Sequence, residues 1–392
     1  MHLVIDSKIP FIRGYAEQLG TCTYLPGAEI TASDVREADA LIIRTRTHCN
    51  RALLEGSRVQ FIATATIGYD HIDTDYLKEA GIAWTNCPGC NARSVAQYVE
   101  SALLLLAAHG CWDERRTRSL ASAPVCATDL DRSVFQHLTL GIVGVGHVGK
   151  EVLRMAEHLG FRQILLCDPP RAEREGDAAF TSLTTLAREA DIITFHTPLT
   201  RHPSPYATYH IADAAFLQSL RPSTVLINSS RGEVVDNQAL LHALEQGHLR
   251  TAVVDTWENE PQPLPSLLQR VFLGTPHIAG YSADGKANGT RMALTAVAHH
   301  FGLDATPFAT ITAPTLPNGY AYYPEGSGHP LAPELRLYDP TRDSEALKKP
   351  LNFLKSSEAI IRCDAKNKIR ASPPNPLPDR GGGISNLYLL YS

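Results

Sequence analysis

Residues 140–160, LGIVGVGHVGKEVLRMAEHLG, constrain the fold more than any other stretch. Gly144, Gly146 and Gly149 stand in G-x-G-x-x-G spacing. An apolar run precedes them, and Val148, Val152, Met155, Ala156 and Leu159 follow at helical spacing. Gly144 permits a tight turn, Gly146 lets backbone approach a pyrophosphate, and Gly149 lets the helix pack on the strand. The pyrophosphate is then expected on the free N–H groups at the positive helix end, where His147 and Val148 join the cofactor contacts. Asp168 ends the next strand, ILLCD, about 20 residues further on. A carboxylate there accepts both adenosine-ribose hydroxyls and repels a 2′-phosphate, which selects NAD over NADP.

Strand-like and helical patterns alternate over the first 300 residues or so. HLVI, ALIIR, QFIATA and IAW read as one set of strands. GIVGVG, ILLCD, IITFHT, VLINSS and TAVVDTW read as a second. Such alternation implies parallel sheets covered on both faces. The expected fold class is α/β, with two doubly wound parallel-sheet lobes and a C-terminal appendage. A flavodoxin-like substrate lobe takes 1–110 and returns with a helix at 282–301, and a Rossmann NAD lobe takes 111–281. Residues 302–349 read as a partial C-terminal dimerisation region. Residues 350–392, which hold ASPPNPLPDRGGGIS, read as an irregular, poorly ordered tail.

Composition narrows the function classes. The 392 residues are 44% hydrophobic and carry a formal charge of -5 without a long basic block, so nucleic acid is not an expected partner. No apolar run approaches the ~20 residues that span a bilayer, so no membrane partner is expected either. Eight scattered cysteines suit a reducing cytoplasm and offer no metal set. The pair in CPGC, Cys87 and Cys90, reads more simply as a turn after GIAW than as a redox couple.

Three strand ends in the second half supply chemistry: INSSRGEVVD, VVDTWENEP and TPHIAGY. In open parallel sheets such ends face the ligand crevice. Hydride transfer from a hydroxy acid to NAD needs a cation for the substrate carboxylate and a base for the hydroxyl proton. It also needs a carboxylate to orient and support that base. Arg231, His277 and Glu260 are the right types for those roles, in that order. Ser229 and Ser230, just before Arg231, are further candidates for cofactor contact.

GIVGVGHVG, HTPL, INSSRGEVVD, DTWENEP and TPHIAGYS together resemble the D-isomer-specific 2-hydroxyacid dehydrogenase family. ATATIGYDHID, CPGCNARSVAQYVE, LLCDPPRAEREG and GTPHIAGYSADGKANGT extend the likeness over residues 1–300 or so. They narrow it to members that act on a small phosphorylated 2-hydroxy acid. The resemblance implies Arg231, Glu260 and His277 as the catalytic set. It implies Asp168, Thr197, Asp255 and Gly280 as NAD contacts, and Thr45, Thr66 and Tyr281 as substrate contacts. A homodimer is implied by the C-terminal likeness, which fades after about Lys349. From the residues alone, Arg44 in RTRTH is a candidate for holding a substrate phosphate. Another 2-hydroxy acid as substrate, or an NAD-sensing scaffold without turnover, are the alternatives left open.

Overall fold

The structure is a computed structural model that describes residues 1–112, 132–201, 203–315, 335 and 338–349. Most of the serine-rich linker, much of the expected dimerisation region and the whole tail lie outside these residues. Residues 1–91 and 281–315 form one compact unit, and 92–280 with the C-terminal helix Thr341–Lys348 form a second.

In the first unit, β1 (His2–Asp6), β2 (Thr21–Leu25), β3 (Ala40–Ile43), β4 (Phe61–Thr64) and β5 (Ala83–Thr85) make a parallel sheet in the order β2-β1-β3-β4-β5. ALII and FIAT are buried at every position, as expected where both faces of a strand are covered. The helix Ala283–His300 packs on β3 and β4 of this sheet.

The second unit holds β6 (Thr139–Val143), β7 (Gln163–Cys167), β8 (Ile192–Phe195), β9 (Val225–Asn228), β10 (Thr251–Val254) and β11 (Leu273–Gly274). All pairs are parallel, in the order β11-β10-β9-β8-β6-β7. Each sheet therefore reverses its winding once, between β1 and β3 in one unit and between β6 and β8 in the other. Crevices at the carboxyl ends of such switch points are where doubly wound sheets bind ligands.

The compact units divide after Asn91, whereas the sequence reading placed the lobe boundary near residue 110. The helix Ala92–Ala108 buries Val95, Val99, Leu103, Leu104 and Leu106 in the same core as Leu140 and Ile142 of β6, so packing assigns it to the nucleotide-type unit. One strand was not read from the sequence: β2 is half-buried with an exposed first residue and produces no apolar run, whereas β11, the strand end read ahead of TPHIAGY, has only two residues.

Leu104 is fully buried in that core. Leu104→Ala should cost about 2–5 kcal/mol in urea unfolding, for lost transfer energy and the cavity left behind. A loss below about 1 kcal/mol would contradict this packing.

Candidate active site

The glycine-rich loop meets the geometric demands placed on it. Gly144 sits at φ +85°, and a Cβ there would lie 2.8 Å from the His196 carbonyl oxygen across the β6–β8 switch point. A Cβ on Gly149 would fall 2.1 Å from the Gly144 carbonyl oxygen, so helix and loop meet too closely for any side chain. A Cβ on Gly146 would meet nothing within 4 Å, which leaves that face open to a bulky group. Gly146 also caps the helix His147–Leu159 without a side-chain hydrogen bond. The first N–H groups are thus available to a phosphate.

Asp168 has partners in the loop that the sequence reading did not anticipate. Its Oδ2 accepts the Val145 N–H at 2.7 Å, and its Oδ1 accepts the Arg171 N–H at 3.1 Å. The Arg171 guanidinium donates to the Val145 carbonyl at 2.7 Å. Both the N–H and the carbonyl of Val145 are held, so the carboxylate expected at the ribose shapes the loop. Each carboxylate oxygen retains a lone pair for a hydroxyl.

At the carboxyl ends of β8, β9 and β10, the atoms His196 Nδ1, Thr197 Oγ1, Ser229 Oγ and Thr256 Oγ1 are buried without hydrogen-bond partners, while His196 Nε2 lies 2.9 Å from Thr194 Oγ1. Buried polar atoms normally find partners, so an unmatched cluster at a nucleotide-type crevice fits a polar cofactor. Burial pushes the His196 imidazole down to about 3, so it is neutral. Neighbouring Ser230 is engaged locally, its N–H and hydroxyl both donating to Asn228 Oδ1 at 3.1 and 2.9 Å.

The three residues chosen for chemistry all lie in this unit. His277 Nδ1 is 2.8 Å from Glu260 Oε2, while Glu260 Oε1 accepts the Trp257 N–H at 2.8 Å. Burial alone would lower the His277 pKa. The hydrogen bond and charge of Glu260, helped by Asp255, outweigh that and Arg231's opposing charge, leaving the imidazole above its ordinary value. Glu260 is held below its ordinary range: burial raises it, but His277, the Trp257 N–H and Arg231 lower it further. Because an ionised Glu260 only accepts, His277 must carry hydrogen on Nδ1, leaving Nε2 of the neutral ring without one. The His277 side chain remains 45% exposed.

His277 adopts φ +56°, a left-handed conformation that a histidine holds only when its surroundings impose it. Asp255 does so. Its carbonyl accepts the His277 N–H at 2.7 Å. Its carboxylate accepts Thr275 Oγ1 (2.6 Å), the Ile278 N–H (2.8 Å) and the Ala279 N–H (2.9 Å). The Tyr98 hydroxyl in turn donates to Thr275 Oγ1 at 2.7 Å. Asp255 is fully buried, so the structure gives this expected NAD contact a prior duty: it builds the turn that aims His277. Gly280 closes the same segment.

The expected substrate residues lie in the other unit. Arg44 follows β3, and its Nη1 donates to the Lys8 carbonyl at 3.0 Å, joining the ends of β1 and β3 at the switch point. Thr45 beside it is exposed. The Thr66 hydroxyl donates to the Gly68 carbonyl at 2.8 Å and lies 2.6 Å from Thr64 Oγ1, which lies 3.1 Å from His71 Nε2. Burial pushes His71 down to about 4, so this chain is neutral. Lys286 Nζ stands 4.4 Å from the centre of the Tyr281 ring. Cys87 and Cys90 are buried, and burial pushes their thiols up to about 12 and about 11, opposite to what redox chemistry needs.

A two-sheet α/β chain with a dinucleotide loop and an Arg–Glu–His set defines a nicotinamide-dependent hydroxy acid dehydrogenase. Comparison with known proteins agrees. Residues 113–279 match the model of the D-isomer specific 2-hydroxyacid dehydrogenase, NAD binding domain. Erythronate-4-phosphate dehydrogenase of Bacteroides thetaiotaomicron is 49% identical over 349 residues, covering 89% of this chain and 92% of the relative. The enzyme of the same name from Edwardsiella ictaluri is 43% identical over 354 residues, covering 89% of this chain and 88% of the relative. The D-lactate dehydrogenase of Aquifex aeolicus, solved with NAD and lactic acid, shares the fold at TM-score 0.59 and 23% identity, covering 80% of this chain and all of that one. The chain belongs to the D-isomer specific 2-hydroxyacid dehydrogenase family, in the erythronate-4-phosphate dehydrogenase branch. It is an NAD-dependent oxidoreductase.

Replacing Glu260 with Gln removes the charge that raises His277. The acid limb of the pH profile for alcohol oxidation, where imidazole protonation stops the base, should move to lower pH. Turnover should fall about a hundredfold. Steady-state rates across pH check both effects, and an unmoved limb would contradict the pairing.

Proposed function

We propose that this enzyme oxidises 4-phospho-D-erythronate at C2 to 2-oxo-3-hydroxy-4-phosphobutanoate, as part of pyridoxal 5′-phosphate synthesis. The observation that carries the reaction class is the 2.8 Å bond between Glu260 and His277 in the unit that also bears the glycine-rich loop. The high identity to relatives named for erythronate 4-phosphate supports the substrate.

NAD, when bound, supplies the hydride acceptor. Around it, the chain's own groups divide the work. His277 Nε2 takes the C2 hydroxyl proton, and Glu260 holds Nδ1–H and stabilises the resulting imidazolium. Arg231 pairs with the substrate carboxylate, a role suited to a planar guanidinium. Asp168 accepts the ribose hydroxyls, and the N–H groups at 147–149 receive the pyrophosphate. Thr197, Ser229 and Ser230 are assigned to the cofactor, with Gly280. Asp255 Oδ2, which accepts the Ala279 N–H, is assigned to the nicotinamide amide as well.

In the first unit, Arg44 is assigned to the substrate phosphate. Its support is position: it bridges the β1 and β3 ends at the switch point, where ligands of such sheets collect. Thr45, Thr66 and Tyr281 are assigned to the rest of the substrate. Because the Thr66 proton goes to Gly68, its oxygen would serve a substrate hydroxyl as acceptor. A homodimer working in the cytoplasm completes the proposal. Among the described residues no helix is long and apolar enough to cross a membrane.

Two assays test this reading. NADH formation from a panel of 2-hydroxy acids should be fastest with 4-phosphoerythronate, and His277→Ala should abolish it; unchanged turnover in that variant would remove the base. Arg44→Leu should raise KM for 4-phosphoerythronate about tenfold or more while sparing erythronate, since a charge-assisted pair is lost only with the phosphate. Equal effects on both would reject the phosphate role.

A further inference from the structure

A second histidine–carboxylate pair stands behind the first. His210 Nε2 is 2.6 Å from Glu258 Oε1, and Asp236 Oδ2 is 3.7 Å from His210 Nδ1. The other oxygen of Glu258 accepts the Asn237 N–H at 2.9 Å. Asn237, only 3% exposed, answers through its side chain: Oδ1 accepts the Glu258 N–H at 3.2 Å. Its Nδ2 donates to the Val235 carbonyl at 2.8 Å and reaches the Gly232 carbonyl at 3.5 Å.

These bonds join two loops. Gly232 follows Arg231, and Glu258 precedes Glu260 by two residues. The loops also press on each other: a Cβ on Gly232 would fall 2.0 Å from the Trp257 carbonyl and 2.5 Å from the Glu258 nitrogen. Between Trp257 and Pro261 the chain has no helix or strand to hold it. Three non-glycine residues with left-handed φ lie on the segments involved: His210 (+50°), Asn259 (+58°) and His277 (+56°). Such conformations persist where the surroundings over-determine them.

We propose that Asn237, braced by Glu258 and His210, is a positioning unit that ties the Arg231 loop to the Glu260 loop and so sets Glu260 Oε2 against His277. The inference rests on the acid–base reading of the Glu260–His277 pair. None of the three touches the reacting atoms; they act through Glu260. With the tie cut, Glu260 keeps its bond to Trp257 N–H but loses the frame that fixes its distance from His277. The charged groups facing His277 are Glu260, Asp255 and Arg231, so a weakened Glu260 shifts the balance toward burial and Arg231, both of which disfavour the protonated ring.

The test compares Asn237→Ala, Glu258→Ala, His210→Asn and Glu258→Gln with wild type and Glu260→Gln. Asparagine at 210 tolerates the left-handed backbone yet cannot reach Glu258 as histidine does. Glutamine at 258 keeps an acceptor for Asn237 and a donor for the other imidazole tautomer, so it should rescue. Asn237→Ala, Glu258→Ala and His210→Asn should lower kcat for oxidation about tenfold with a smaller change in KM, as loosened positioning does. Their acid limb should move down by about half a pH unit, in the direction of Glu260→Gln. NADH fluorescence titration should stay within about twofold, showing an intact nucleotide unit. Lower melting temperatures with an unmoved limb and kcat would overturn the proposal. If Asn237→Ala does not fold, Glu258→Ala and His210→Asn decide by the same criteria. If Glu260→Gln also leaves the limb in place, the acid–base reading itself fails; if only Glu260→Gln moves it, the positioning role alone is lost.

Discussion

The hydrogen bond from His277 Nδ1 to Glu260 Oε2 decides which imidazole nitrogen is left without hydrogen, and much of the nucleotide-type unit maintains it. Two loops from different strand ends must meet within 2.8 Å. One is held by Asp255, whose carboxylate gathers three donors of the 275–279 turn and is itself backed by Tyr98 through Thr275. The other is held by Trp257, whose indole N–H donates to the Thr275 carbonyl at 2.9 Å, and by the Asn237–Glu258 exchange. Thr275 thus receives bonds from both sides. Buried polar networks of this kind rigidify when every member is satisfied.

The same economy appears at the cofactor loop. Asp168 was read from the sequence as a ribose ligand, yet in the structure it also fixes Val145 and starts the helix Pro169–Glu175. Asp255, read as a nicotinamide contact, is first a turn builder. In both cases a carboxylate at a strand end satisfies backbone N–H groups that have no partner within the sheet. Strand-end aspartates are therefore ambiguous in sequence: the same residue suits a ligand and a loop.

What the sequence disclosed follows from how local each signal is. The glycine spacing, the apolar runs of β3, β4, β8 and β9, and the acid after ILLCD need only neighbours along the chain, and they were legible. Arg231, Glu260 and His277 could be chosen because strand ends of a parallel sheet share one edge, although nothing local states that Glu260 lies within hydrogen-bonding distance of His277. The helix Ala92–Ala108 was legible as a helix but not as part of the second unit, because a uniformly apolar face does not say which core it fills. Asn237, Glu258, His210 and His196 passed unnoticed. Their meaning lies in partners up to 48 residues away or, for His196, in a buried Nδ1 left unmatched, and no periodicity records that.

The most direct measurement of the central claim is an NMR titration of the His277 ring, assigned by comparison with His277→Ala, in the intact enzyme and in Glu260→Gln. The account predicts a pKa above the ordinary value of about 6.5 in the enzyme and a fall in the variant. A ring that titrates at or below that value in both proteins would contradict it.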